Sequence, residues 1–336
     1  MLCRVAEDVF WMSRYVERAI AVGRLIEVTW HLELDLGETD SESRAFWLPL
    51  LRSVAGRDDD AAHQDVRHYL AFDVENPDSL VSCIRHARAA ARGVRESISS
   101  EMWEQINTLH LSLVDPALTP RAEEELYAFY RRVREGAQFF QGLADNTLAH
   151  DEPWEFINLG KYLERAYNVA RVLNLQAHLL HRPLDRAPGG DDTVRWLAML
   201  RSCGCAEAYS RYYSVRVEPA HVVEFLLLNP VFPQSVRFSL GAAWDSLRQV
   251  ASRGADGPGG ASPAVRAMGL LRAKLEHAAV DEVLEEGLET YLPDVQARIV
   301  HVAEEITRSY LRAEPQPGRL VGVARAAMIM AAQQQQ

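Results

Sequence analysis

One stretch of this chain is written twice. SRYVERAIAVGRL, starting at Ser13, returns 147 residues later as GKYLERAYNVARV, starting at Gly160. Tyr15, Glu17, Arg18, Ala19, Val22 and Arg24 recur as Tyr162, Glu164, Arg165, Ala166, Val169 and Arg171. Further matches follow in chain order: WLPLLRS at Trp47 with WLAMLRS at Trp196, FDVENP at Phe72 with FLLLNP at Phe225, and SLVSCI at Ser79 with SVRFSL at Ser235. In that last register Arg92 falls on Arg248. The offsets grow from 147 to 156, as one duplication with small insertions in the second copy would produce. That period is far too long for a solenoid repeat, so the expectation is a doubled domain. Its boundary is placed near Asp151, giving a first repeat over 1–150, a second over 151–315 and a flexible tail over 316–336.

Within each half the apolar residues return at three- and four-residue steps. Phe10 to Leu34 runs without proline, and LVSCIRHARAAARGVRESI and ELYAFYRRVREGAQFFQGLADNTL read the same way. So do FINLGKYLERAYNVARVLNLQAHLL and VQARIVHVAEEITRSYL in the second half. Breakers separate these runs, among them ENPDS, VDPALTP, RPLDRAPGGDD and RGADGPGGASP. VVEFLLLNPVF is ambiguous, but its counterpart HYLAFDVENP reads as helix and then turn. The expected fold is all-α: two tandem copies of a helical unit packed as one pseudo-symmetric helical bundle.

A net charge of −11 argues against nucleic-acid and anionic-membrane partners, which reward a basic face. Cys3, Cys83, Cys203 and Cys205 fit no disulfide framework, and Cys203-Gly204-Cys205 is too short for the usual zinc pair. The opening MLCRVAEDVF lacks the apolar run of a signal peptide, and no stretch is apolar for long enough to span a bilayer. The expectation is a reduced, cytoplasmic protein.

On a helix of 100° per residue, Trp11, Tyr15, Ala19, Val22 and Ile26 share one face, while Phe10, Ala21, Leu25, Val28 and Leu32 form a second strip. Arg14 and Arg18 lie between the strips, and Glu17 sits at the margin of the second. A helix apolar on both sides of an arginine contacts neighbours on both sides. Its guanidinium then needs a carboxylate or another anion. Lys161, Glu164 and Arg165 repeat the arrangement. Two readings follow. In one, the Glu-Arg pairs cross-link helices across the pseudo-twofold axis. In the other they form an anion site, with Arg14, Tyr15, Glu17, Arg18, Lys161, Tyr162, Glu164 and Arg165 binding a carboxylate or phosphate.

These residues carry a resemblance. RVAEDVFWMSRYVERAIAVGRLIEV resembles the opening of the alpha-E domain family, bacterial helical proteins named for a Glu-Arg motif and typically found as a tandem duplication. The similarity extends through ARGVRESISSEMWEQIN and EFLLLNPVFPQSVRFSL, and Glu17-Arg18 and Glu164-Arg165 match the named motif. The resemblance implies a role in peptide synthesis or modification. Companions would be a circularly permuted ATP-grasp ligase, a transglutaminase-like protein or an N-terminal-nucleophile peptidase. On this reading the chain is an accessory or co-catalytic subunit that binds a peptide carboxylate or the ligase. The alternatives are a stand-alone acyl or aminoacyl transferase with Glu17 or Glu164 as base, and a scaffold whose ion pairs only fix packing.

A second basic stretch is weighed against a merely solvated helix face. Arg85, Arg88, Arg92, Glu96 and Ser99 align on one helix face, and Glu101, Trp103 and Asn107 would complete a groove for an acidic peptide or phosphate. Asp58, Asp59, Asp60, His63, Asp65 and His68 lie in a polar connector with no counterpart in the second copy, so no metal site is expected. No P-loop, dinucleotide fingerprint, serine elbow or di-iron Glu-x-x-His pattern appears, and no cofactor is expected. Cys203 and Cys205 read as small core residues, Trp47 and Trp196 as core anchors.

Overall fold

A computed structural model describes residues 1–36, 47, 50–51, 53–54, 66–115, 123–180, 190–213, 216–253 and 262–311. Among them every regular element is a helix. The proposed tail at 316–336 and the aspartates from Asp58 to Asp65 lie outside the described residues.

Two long helices form the centre. Helix α1 (Cys3–Leu36) packs against α6 (Glu152–Leu180), and each carries one Glu-Arg pair. Both are buried over most of their circumference because their sequences are apolar on two sides of the charged positions. Helix α1 is flanked by α3 (Leu80–Gly93) and α5 (Glu123–Thr147), with α4 (Ser100–Val114) touching both flanks. Helix α2 (Val66–Ala71) sits before α3. Helix α6 has α7 (Gly190–Ser202), α10 (Val236–Arg253) and α13 (Leu288–Tyr310) as neighbours. Helix α11 (Pro263–Glu276) bridges α10 and α13, as α4 bridges α3 and α5. The buried side chains of both halves form one contiguous core that includes Trp47 and Trp196, the expected anchors. The chain turns between α5 and α6.

The approach of α1 to α6 depends on small residues. Ser13 Oγ donates to the Ile157 carbonyl at 2.6 Å. At Gly160, which matches Ser13 in the repeat, any Cβ would collide with the Phe10 carbonyl oxygen. The crossing therefore admits a hydroxymethyl on one side and only hydrogen on the other.

The ambiguous VVEFLLLNPVF is helix and then turn, like its counterpart: α9 (Pro219–Val223) runs on into a π-helical turn over Glu224–Leu228, and a turn begins at Asn229. The basic stretch departs from the sequence reading. Helix α3 stops at Gly93, where an added Cβ would meet the Asp8 carboxylate, and Ser99 instead caps α4 by accepting from Met102 N at 3.2 Å. Glu96 and Ser99 thus do not continue the arginine face.

Candidate functional site

Two turns deliver the groups that surround the Glu-Arg pairs. In ENPDS, Asn76 Oδ1 accepts from Asp78 N at 3.0 Å, and Ser79 caps α3 by accepting from Ser82 N. In NPVFPQS, Asn229 Oδ1 accepts from Val231 N and Phe232 N at 2.9 Å, and Ser235 caps α10 by accepting from Phe238 N. The matching Asn-Pro and Ser positions of the sequence are thus an Asx turn feeding an N-cap, twice. Each turn presses a polar group against a motif arginine. Asp78 Oδ1 receives Arg18 Nη1 at 2.5 Å, whereas the second turn offers Arg165 Nη1 only the Pro233 carbonyl at 3.4 Å.

The motif pairs exchange partners between the halves. Arg18 binds Glu164 with two bonds, Nε to Oε1 at 2.7 Å and Nη2 to Oε2 at 3.1 Å. Arg165 binds Glu17 in the same manner, Nε to Oε1 at 2.7 Å and Nη2 to Oε2 at 3.0 Å. Arg14 Nε adds a bond to Glu164 at 2.8 Å, and Gln141 Nε2 adds one to Glu17 at 2.5 Å. Lys161, at the position of Arg14, instead lies 3.6 Å from Asp145. Arg18 lies over the Tyr15 ring and Arg165 over the Tyr162 ring, so both tyrosines flank the guanidiniums as expected. Arg14 and Glu164 are each only 1% exposed.

Electrostatics hold this network ionised. Burial alone would raise Glu164, but the charges and hydrogen bonds of Arg18 and Arg14 bring it down to about 2. Burial opposes the Glu17 carboxylate too, and Arg165 with Gln141 still leaves it below the ordinary value. Burial works against the Arg18 charge, yet Glu164 and Asp78 lift it well above the usual arginine range. The cavity touching Glu17 and Arg165 has a volume of about 20 Å³, room for about one water.

Of the eight residues of the sequence-derived cluster, Arg14, Glu17, Arg18, Glu164 and Arg165 are bonded to one another across the α1–α6 interface, Tyr15 and Tyr162 flank the two motif guanidiniums, and Lys161 pairs with Asp145. The carboxylates on Arg18 and Arg165 in this structure are the chain's own Glu164 and Glu17, the arrangement of the cross-linking reading. A family model described as "a predicted alpha-helical domain with a conserved ER motif" matches residues 1–311. The chain belongs to the Alpha-E family. Both Glu-Arg pairs of this Alpha-E protein lie within the match. It is similar to an uncharacterized protein of Mycobacterium bovis and to uncharacterized proteins of two Mycobacterium tuberculosis strains, each 24% identical over 336 residues. Those alignments cover 92% of this chain, which spans 37% of the length of each relative. No solved structure matches the chain significantly.

The second basic stretch is partly assembled. Arg88 Nε donates to Asn107 Oδ1 at 2.8 Å, and Arg88 and Arg95 lie over the Trp103 ring. Arg85 turns away to the Val74 carbonyl and Ser82, while Arg92 and Glu101 are exposed. Burial pushes the Cys203 thiol up to about 12 and raises Cys83 and Cys205 as well, which suits core residues. No metal-binding cluster of His, Cys, Asp or Glu occurs among the described residues, and none of their helices is long and apolar enough to cross a membrane.

Sequence reasoning missed Asp78, Gln141 and Arg24. Asp78 lay inside a stretch read only as a breaker, and Gln141 had no signal. Arg24 did have one: it recurs as Arg171 in the same frame as the Glu-Arg pair. Arg171 is 7% exposed, and its Nε and Nη2 find no hydrogen-bond partner.

Proposed function

We propose that this chain is an accessory or co-catalytic subunit of a bacterial ATP-dependent peptide synthesis or modification system. Its principal partner would be a circularly permuted ATP-grasp ligase, with a transglutaminase-like protein or an N-terminal-nucleophile peptidase as further companions. The observation that carries this reading is the extent of the relatives: the matched helical region is a minor part of a longer polypeptide. A helical body joined to further protein in its relatives suits work beside another component. The state of the motif carboxylates supports it from another side. Glu164 is held near 2 with both oxygens engaged, and Glu17 is bound by Arg165 and Gln141 beside room for about one water, so neither has the basicity or the access a transferase base needs. The Glu-Arg network then sets the shape that the partner recognises, and peptide contacts fall on surfaces outside it. Coexpression with a circularly permuted ATP-grasp ligase tests the proposal. The expected result is copurification and a changed ligase turnover on adding the helical chain. Separate elution together with unchanged turnover would contradict it.

A further inference from the structure

Helix α1 ends beside a cleft of about 340 Å³, within the size range of small-molecule sites. Three arginines, Arg24, Arg134 and Arg201, face two glutamates, Glu27 and Glu207, leaving one surplus positive charge in a chain of net charge −11. Arg134 is already bound to Glu27 at 2.6 Å. Among the described residues no carboxylate lies within ion-pair distance of Arg24 or Arg201. Arg201 is exposed at the rim, while Arg24 is half-buried at the base, where the cleft meets the small cavity beside Glu17.

The turn Cys203-Gly204-Cys205 explains how Arg24 is held. Gly204 has φ +65°, and a Cβ there would lie 2.9 Å from Arg24 Cζ and 3.0 Å from both Nη atoms. Three nearly equal distances mean that the guanidinium lies flat over Gly204. Stacking occupies its face and leaves its edge, where the N–H donors are, available for in-plane bonds. Burial, reinforced by Arg134 and Arg165, lowers Arg24 from the ordinary arginine value, and Glu17 offsets this only in part. A desolvated guanidinium without its own carboxylate is costly to keep, and an incoming anion relieves that cost. The cleft also has an apolar wall from Val28, Leu32 and Leu197.

We infer that this cleft binds a small monocarboxylate with an apolar body, its carboxylate on the edge of Arg24 and at Arg201, its body along Val28, Leu32 and Leu197. One surplus charge fits a monoanion, and the apolar wall separates it from a bare inorganic ion. The inference goes beyond the proposed partnership and is tested on the purified chain alone, so either can fail without the other.

The test is calorimetric titration with N-acetyl-leucine, with N-acetyl-leucine amide and with inorganic phosphate. Saturable binding of the acid is expected, with the amide and phosphate each weaker by about tenfold or more. Arg24→Met should weaken the acid by a similar factor, and Arg201→Gln should weaken it by less. Arg201 is exposed, so that second variant carries the test if Arg24→Met fails to fold. Equal binding of acid and amide, equal binding of phosphate, absence of saturable binding, or indifference to both substitutions would each overturn the assignment.

Discussion

At the scale of single residues, the Glu-Arg motif is an exchange of charges between distant parts of the chain. Arg18 and Arg165 are each gripped along the Nε–Nη2 edge by a carboxylate from the other half, and breaking such a buried pair strands its partner. Arg18→Met and Arg165→Met should each lower stability by about 3–5 kcal/mol in urea unfolding. Arg18→Met takes the arginine from Asp78 and leaves Glu164 with the Arg14 bond alone. Midpoints at or above the parent's would show that the pairs are kept for something other than folding. The pH dependence has a fixed sign. Glu164 sits below its ordinary value of 4.5 in the folded chain, so the unfolded chain binds more protons as the pH falls. Stability contributed by Glu164 is full above about 5 and is lost as the pH drops through 4.5 towards 2, amounting to roughly 3 kcal/mol. Urea midpoints taken down this range should fall steeply in the parent and less steeply in Glu164→Gln. Parallel slopes would remove Glu164 as the cause.

At the scale of elements, the network depends on how closely α1 and α6 approach. Gly160→Ala places a methyl group against the Phe10 backbone, which cannot swing aside as a side chain could. The helices must separate, and a loss of about 1–3 kcal/mol is expected in thermal or urea unfolding. Ser13→Ala removes only the bond to the Ile157 carbonyl and should cost about 1 kcal/mol. Equal losses would mean the crossing is looser than described. Much of this element level was legible in the sequence. Three- and four-residue periodicity marked α1, α5, α6 and the later part of α13, and an arginine between two apolar strips implied a buried charge with an acidic partner. A wheel drawn on one helix cannot say which helix supplies that partner, so cross-linking between the halves stood as one of two readings, and the pairing of Arg18 with Glu164 and of Arg165 with Glu17 comes from the structure. The break after α3 was obscured for another reason: apolar spacing continues through Val94 and Ile98, while α3 ends at Gly93 and Ser99 caps a new helix.

At the scale of the whole molecule, neither half closes its own charge set. Residues 1–150 hold Arg14, Arg18 and Glu17, whose main partners Glu164 and Arg165 lie in 151–315. Expressed singly, fragments 1–150 and 151–315 should show little cooperative helical structure by circular dichroism, and mixing them should restore it. Independent cooperative unfolding of either fragment would show that the exchanged pairs are dispensable. The central claim is that the motif works across the halves and not between its own adjacent residues. Double-mutant cycles test it most directly, pairing Glu17→Gln with Arg165→Met and Glu164→Gln with Arg18→Met, against the adjacent pairs Glu17 with Arg18 and Glu164 with Arg165. Coupling of about 1–3 kcal/mol is expected across the halves and less than about 0.5 kcal/mol between neighbours. Coupling that is absent across the halves, or as strong between the adjacent residues, would contradict the account.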